Sequence, residues 1–335
     1  MRRWIAIVVG AVFLAVAVPL AGAHWLGWGG DAAFVPGADR EVEIGGGRRL
    51  NVRDVGTGPP IVLVHGLPSN IGDWGEVPEK LAALGHRVVV YDRIGYGHSS
   101  RDDDASAETY TYESNARDLE ALLDALGIER ATLAGWSYGG AVVQEFTASR
   151  PERVEAVALL GSVGPASAPG DDALSILLGS PLALPVLRWV AAVPPVGNAF
   201  LGENLRLAFA RERDIPPGFA ERTRAMLALP GTLEAFVAEA RRDAPSSLEP
   251  ERIAVASLVL HGTEDFLVPL DVGRDLDRRL PASQLLVVPG GSHMLPTTHA
   301  DLVAGALHAL ATERAQEAAT SSSAGTSGKA SRLEP

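Results

Sequence analysis

The sequence predicts an α/β fold with a mostly parallel sheet covered by helices on both faces. From about Glu41 onward, strand-like segments alternate with helical ones. Several short runs are continuously apolar, as strands buried on both faces require. Two further segments instead alternate apolar and polar residues, which is typical of a half-exposed antiparallel pair. No internal repeat occurs.

The elements follow from these patterns in chain order. Residues 41–44 and 50–55 flank G-G-G-R-R and predict an antiparallel hairpin at one edge of the sheet. Buried strands are predicted at 60–65, 87–92, 131–136, 154–160, 257–261 and 284–288. Helices are predicted at 76–84, 112–126, 138–149, 272–280 and 300–312.

Residues 165–250 interrupt the alternation. This interval carries eleven prolines and several apolar helical pieces, but no clear buried strand. Such a segment between two strands favours a helical cap over the carboxyl edge of the sheet, where open α/β sheets bind ligands. The core then has a first part at 31–164 and a second part at 251–313.

The two ends of the chain differ from the core. Within residues 1–30, Arg2 and Arg3 precede twenty uncharged residues, enough for a membrane-spanning anchor. The same segment also has the form of a signal peptide cleaved near Ala23. Both interpretations place the remaining chain outside the cytoplasm, either as a single-pass membrane protein or as a secreted one. Residues 314–335 end in small polar residues and predict a disordered tail.

Composition narrows the function classes. The 335 residues have a formal net charge of −12, 47% hydrophobic residues and no cysteine. A negative protein repels phosphate backbones and anionic headgroups, which argues against nucleic-acid binding. Absence of cysteine excludes a thiolate nucleophile and cysteine-ligated metal sites. Small neutral or cationic substrates remain open.

The sequence A-G-W-S-Y-G-G-A at 134–141 indicates a nucleophile. A strand, a sharp turn and a helix follow one another here, so the turning residue Ser137 needs uncrowded neighbours two positions away. Gly135 and Gly139 occupy those positions. The turn places the hydroxyl at a helix N-terminus, where negative charge is favoured.

To act as a nucleophile, a serine hydroxyl needs a base that takes its proton and an acid that orients this base. After the strand at 257–261, the sequence H-G-T-E-D-F-L-V-P places Asp265 in a loop at the carboxyl end. Glu264 is the alternative, but the pattern H-G-x-x-D-x-x-V-P favours Asp265. His293 follows the last strand in a glycine-rich loop, whereas His299 and His308 are interpreted as surface residues of the final helix.

An oxyanion hole needs two backbone N–H donors near the reacting carbonyl. Tyr138, directly after the nucleophile, is expected to supply one. The loop V-H-G-L-P at 64–68 supplies the other, because Gly66 allows close approach and Leu67 can donate while Pro68 cannot.

Together these segments resemble the α/β-hydrolase fold family. The resemblance runs from about Glu41 to Thr312, in the order Ser, Asp, His, and rests on V-H-G-L-P, Y-D-R-I-G-Y-G-H-S, G-W-S-Y-G-G, H-G-T-E-D-F-L-V-P and G-G-S-H-M. It implies an eight-stranded sheet, a variable cap after the sixth strand and a serine hydrolase triad. Hydrolysis through an acyl-enzyme requires no cofactor or metal. In that pattern, Asp92 and Arg93 resemble a structural element that supports the loops.

Two other functions remain open beside an ester hydrolase with an acyl-enzyme intermediate. A noncatalytic binding protein on the same fold is one, although all three triad positions are filled. A cofactor-free perhydrolase or carbon–carbon bond hydrolase with the same triad is the other. Related epoxide hydrolases and dehalogenases use an aspartate nucleophile, so Ser137 argues against both of those activities.

Overall fold

Eight strands form one sheet in the order β1-β2-β4-β3-β5-β6-β7-β8. They come from a computed structural model, which describes residues 40–101, 109–167, 178–242 and 245–327. The strands are β1 (Arg40–Glu43), β2 (Arg49–Val55), β3 (Pro60–Val64), β4 (Arg87–Tyr91), β5 (Ala131–Trp136), β6 (Val154–Leu160), β7 (Ser257–Gly262) and β8 (Ser283–Val288).

The strand directions confirm the predicted, mostly parallel sheet. β1 pairs with β2 and β2 with β4 in antiparallel fashion, whereas β3 to β8 are parallel. The predicted hairpin therefore lies at one edge. Side chains of β3 alternate between the hydrophobic clusters on the two faces of the sheet. Ile61 and Leu63 pack on one face, and Val62 and Val64 pack on the other. Burial on both faces explains the unbroken apolar runs.

Helices cover both faces of the sheet and continue over its carboxyl edge. Their bounds are α1 (Val77–Ala83), α2 (Tyr112–Ala125), α3 (Tyr138–Ser149), α4 (Ala183–Ala192), α5 (Pro194–Phe209), α6 (Phe219–Leu227), α7 (Thr232–Arg242), α8 (Leu270–Arg279), α9 (Leu295–Thr298) and α10 (Ala300–Ser327). Four of them, α4 to α7, lie between β6 and β7, where the sequence predicts a helical cap. The cap has a small core of its own, which includes Leu187, Leu233 and Phe236.

The structure describes the C-terminal segment as far as residue 327 but does not describe the first 39 residues. The predicted anchor or signal segment, 1–30, lies outside the described residues and stays a prediction. No helix in the described ranges combines the length and apolar character needed to cross a membrane. The last helix continues to Ser327, past the predicted start of a tail at 314. R-A-Q-E-A-A at 314–319 consists of good helix formers, which explains the continuation.

Candidate active site

Ser137 lies at a sharp turn between β5 and α3. Its φ of 56° and ψ of −122° place this non-glycine residue outside the usual backbone regions, just before the first residue of the helix. Such a conformation costs of order 1–3 kcal/mol and persists where the surroundings enforce it. The turn is the strained strand-to-helix geometry that the sequence predicts around this serine.

The glycines around Ser137 allow this turn to pack. A Cβ atom on Gly135 would lie 2.4 Å from the carbonyl oxygen of Gly139. One on Gly139 would lie 2.2 Å from the carbonyl oxygen of Val64. Both contacts are with backbone atoms, which cannot swing away as a flexible side chain could. The glycines therefore permit close contact between the turn, α3 and β3.

His293 and Asp265 form a buried hydrogen-bonded pair. The Nδ1 atom of the imidazole lies 2.8 Å from Oδ2 of the carboxylate. The other oxygen, Oδ1, accepts hydrogen bonds from the backbone N–H groups of Leu267 at 3.1 Å and Val268 at 2.8 Å. The carboxylate is thus fixed in orientation. Because Nδ1 faces Asp265, Nε2 is the ring nitrogen left for a reacting hydroxyl.

The loop that carries His293 is attached to the strand that ends at Ser137. The indole Nε1 of Trp136 donates a hydrogen bond of 2.8 Å to the carbonyl oxygen of His293. The two rings lie 5.6 Å apart, centroid to centroid. Ser137 and His293 line one cavity. No direct hydrogen bond joins their side chains among the described residues, and such bonds often tighten only when substrate binds.

The alternative acid and the other two histidines point elsewhere. Glu264 pairs with Arg211 of the cap at 2.7 Å, so Asp265 and not Glu264 contacts the imidazole. His308 is half-buried, with its Nδ1 2.9 Å from Nε2 of His86. His299 contacts Thr298 through Nδ1. Both histidines are partly buried, and His299 lies directly before the final helix rather than in it.

The predicted oxyanion donors flank Ser137 from two sides. Tyr138 is the first residue of α3, at the positive end of the helix dipole. Leu67 follows Gly66, where an added Cβ would lie only 3.0 Å from Cβ of Ser137. Leu67 and Tyr138 both line the cavity that contains the hydroxyl.

The peptide bond between Gly66 and Leu67 is held by two donors. The Gly66 carbonyl oxygen accepts from Nη2 of Arg93 at 2.9 Å and contacts Nδ1 of His65 at 2.9 Å. His65 accepts the backbone N–H of Arg93 at Nε2, which assigns the proton to Nδ1. Burial lowers the pKa of His65 well below its usual value, so this ring is neutral. Because a trans peptide is planar, fixing this carbonyl also fixes the opposite direction of the Leu67 N–H.

Arg93 connects this peptide to the cap. Its guanidinium pairs with Glu239 of α7 at 2.5 Å, and both side chains are fully buried. Glu239 also accepts hydrogen bonds from the Tyr96 hydroxyl at 2.7 Å and from Asn115 at 3.1 Å. Arg93 further lies 4.5 Å above the Tyr138 ring. These contacts confirm the interpretation of Arg93 as a residue that supports the loops.

We expect Arg93→Met to lower the free energy of unfolding by about 3–5 kcal/mol, because it leaves Glu239 buried without its cation. Urea denaturation measures the change. The double variant Arg93→Met/Glu239→Gln removes the orphaned charge and should recover part of the loss. A single variant as stable as the wild type would contradict the assigned role of the ion pair.

The cavity beside Ser137 has a volume of about 370 Å³. Cap helices α5, α6 and α7 form much of its wall. Apolar side chains dominate the lining and include Leu178, Leu205, Phe219, Phe236, Leu267 and Met294. Polar side chains are few, and Asp73 is the one carboxylate that lines the cavity in the described part of the chain. The arrangement suits an apolar substrate held against the serine.

Sequence reasoning missed two buried or partly buried acids. Glu239 lies in the apolar stretch F-V-A-E-A, where a charge on a buried helix face indicates a partner. Asp73 precedes Trp74 in a short 3₁₀ turn, Ile71–Trp74, and no local pattern marks it. Only the tertiary contacts show what each acid faces.

Comparison with known proteins identifies the fold and its relatives. The family described as the alpha/beta hydrolase fold matches residues 59–300. A 2-hydroxy-6-oxo-2,4-heptadienoate hydrolase of Pseudomonas putida is 30% identical over 248 residues, 73% of this chain and 86% of the relative.

Solved structures with similar folds include a peroxidase and an esterase. A bromoperoxidase from Bacillus anthracis superposes with a TM-score of 0.68 at 27% identity, covering 81% of this chain and 98% of the other. A thermophilic esterase from Thermogutta terrifontis gives a TM-score of 0.63 at 26% identity, covering 82% of this chain and 98% of the other. These similar proteins carry out more than one reaction on one architecture.

Proposed function

The chain belongs to the α/β-hydrolase fold family, and we propose that it is a serine hydrolase that cleaves an ester-type bond of a small, apolar substrate. One observation carries the proposal. Ser137, at the strained turn before α3, shares a cavity with His293, whose Nδ1 atom is bonded to the buried carboxylate of Asp265. This is the arrangement of residue types and roles that nucleophilic acyl transfer requires.

In the proposed mechanism, His293 takes the proton of the Ser137 hydroxyl as the oxygen attacks the substrate carbonyl carbon. Asp265 holds the imidazole and stabilises its charged form. The N–H groups of Leu67 and Tyr138 stabilise the oxyanion. The imidazolium then protonates the leaving alcohol, and an acyl-enzyme remains. Water, deprotonated by His293, attacks the acyl carbon and releases the acid.

The cavity lining favours a neutral or cationic ester over an anionic substrate. The name of the Pseudomonas putida relative describes a carboxylate-bearing dienoate as its substrate. Among the described residues that line the cavity here, none is lysine or arginine, and Asp73 contributes negative charge. A substrate carboxylate would therefore enter an apolar site without a cation to pair with it. This argues for ester hydrolysis rather than cleavage of an anionic ring-opened product.

Fluorophosphonate labelling and an ester panel test the proposal. We expect the probe to label the protein at Ser137 and aryl esters of graded acyl length to be hydrolysed. Peroxide-dependent halogenation and cleavage of ring-opened dienoates serve as the competing assays. A folded protein that neither reacts with the probe nor hydrolyses any ester would support the noncatalytic binding protein instead.

The location of this hydrolase is a separate proposal, which rests on the first 23 residues of the sequence. We propose a catalytic domain outside the cytoplasm, held by an N-terminal anchor. The mass of the mature protein tests this, because a chain that starts at His24 would show cleavage and exclude the anchor.

A further inference from the structure

Asp73 is the charged group of the substrate cavity that the proposed mechanism does not use. It lies in the turn Ile71–Trp74, after the loop that supplies Leu67, and is partly buried. Its backbone is held in place, because the Asp73 carbonyl oxygen accepts a hydrogen bond from the Thr297 hydroxyl at 2.9 Å. The residue is thus part of the rigid core rather than of the cap.

Among the described residues, one side chain hydrogen-bonds to the carboxylate, and the backbone N–H of Asn70 also stabilises its charged form. The Ser69 hydroxyl donates to Oδ2 at 2.6 Å. In the described part of the chain, no lysine, arginine or histidine forms an ion pair with this group. Arg222 exerts a long-range attraction on this carboxylate, but it stacks over Phe219 at 5.4 Å and donates to the Pro217 carbonyl oxygen.

The other polar side chains from the cap are already engaged. Asn204 donates to the Phe200 carbonyl oxygen at 2.8 Å, and Thr223 to that of Phe219 at 2.9 Å. Both bonds lie within their own helices, so neither residue pairs with Asp73. Asp73 is therefore the charged acceptor that a ligand can engage among the described residues of this lining.

A carboxylate in such a place is costly unless something pairs with it. Burial raises the pKa of Asp73 to about 6, against the lowering effect of the Ser69 hydrogen bond. The group is nevertheless mainly ionised at neutral pH, in a cavity lined mostly by apolar atoms. The Ser69 contact does not require the charge, because an asparagine oxygen could accept the same hydrogen bond.

We propose that Asp73 is a substrate-recognition residue that accepts a hydrogen bond from an ammonium or hydroxyl group of the ester bound beside Ser137. This inference rests on the proposed function and names its substrate class: an apolar ester that carries a hydrogen-bond donor away from the reacting carbonyl. Asp73 takes no part in the bond-breaking steps. Its effect is on substrate affinity and on the choice between substrates.

Three matched aryl esters test the proposal: heptanoyl, ω-hydroxyhexanoyl and ω-aminohexanoyl. Wild-type enzyme is expected to favour a donor-bearing ester over the heptanoyl ester in kcat/KM. Asp73→Asn should reduce the preference for the ammonium ester by about 10- to 100-fold, the range for loss of an interaction with a charged group. It should affect the hydroxyl ester much less, because the asparagine oxygen still accepts a hydrogen bond. Heptanoyl hydrolysis should change little. The control Asp271→Asn removes the same charge at an exposed site outside the cavity and should retain the preference.

The pH dependence of the substrate preference distinguishes an ammonium donor from a hydroxyl donor. The ratio of kcat/KM for the amino and heptanoyl esters removes every effect of pH on the catalytic steps that the two substrates share. As pH falls through about 6, the Asp73 carboxylate becomes neutral and the ratio for the ammonium ester should fall. Arg222 and Asp92 are the other charged groups that influence this carboxylate. A preference for the hydroxyl ester should depend on pH much less, because a neutral carboxyl can still form a hydrogen bond.

The outcomes are distinct from failure of the proposed function. Hydrolysis of all three esters without a preference that depends on Asp73 would overturn this inference and leave the serine hydrolase intact. Hydrolysis of none would contradict the proposed function itself. Fluorophosphonate labelling of Asp73→Asn shows that a lost preference does not come from misfolding.

Discussion

Ser137→Ala is expected to lower the kcat of ester hydrolysis by a factor of about 10⁴ to 10⁶ and to abolish fluorophosphonate labelling. The variant removes the oxygen that forms the acyl-enzyme, so the remaining rate would come from binding and from the oxyanion donors alone. The fold should persist, because Gly135 and Gly139 keep the space around the turn and alanine is smaller than serine.

Steady-state kinetics and probe labelling measure this change. Ser149→Ala is the matched control, since Ser149 lies exposed near the other end of α3. It should retain wild-type activity and labelling. An alanine variant at position 137 that still hydrolyses esters at the wild-type rate would show that another residue is the nucleophile.

Asp265→Asn is expected to lower kcat by a factor of about 10⁴ while leaving the fold in place. The backbone N–H groups of Leu267 and Val268 require an acceptor at Oδ1, so the asparagine oxygen should stay there. Its NH₂ group then faces Nδ1 of His293. An imidazole that accepts a hydrogen bond at Nδ1 carries its proton on Nε2, and that nitrogen cannot take the serine proton.

The control for this variant is Glu264→Gln. Glu264 is adjacent in sequence but pairs with Arg211 at the surface, so its loss should cost less than about 1 kcal/mol and leave kcat nearly unchanged. Comparison of the two pH–rate profiles adds a second measurement. If Glu264→Gln rather than Asp265→Asn abolished activity, the role of orienting the histidine would belong to Glu264.

The sequence predicted the sheet and the local turns because both depend on short-range patterns. The apolar run at 131–136 and the glycines at 135 and 139 define a buried strand and a tight turn without reference to any distant residue. The proline-rich interval predicted the place of the cap in the same way. Sequence pattern was less reliable at the final helix, where helix formers and small polar residues succeed each other and the helix continues past 312.

The sequence by itself thus determined the class of fold, the positions of the strands along the chain and the residues expected to react. Only the tertiary structure decided what each polar side chain contacts: Glu239 with Arg93, Asp265 rather than Glu264 with His293, and Asp73 in the cavity beside Ser137. The physical reason is that backbone conformation responds to near neighbours in sequence. The energy of a buried charge depends on groups that lie far along the chain and come together only when the sheet and cap have packed.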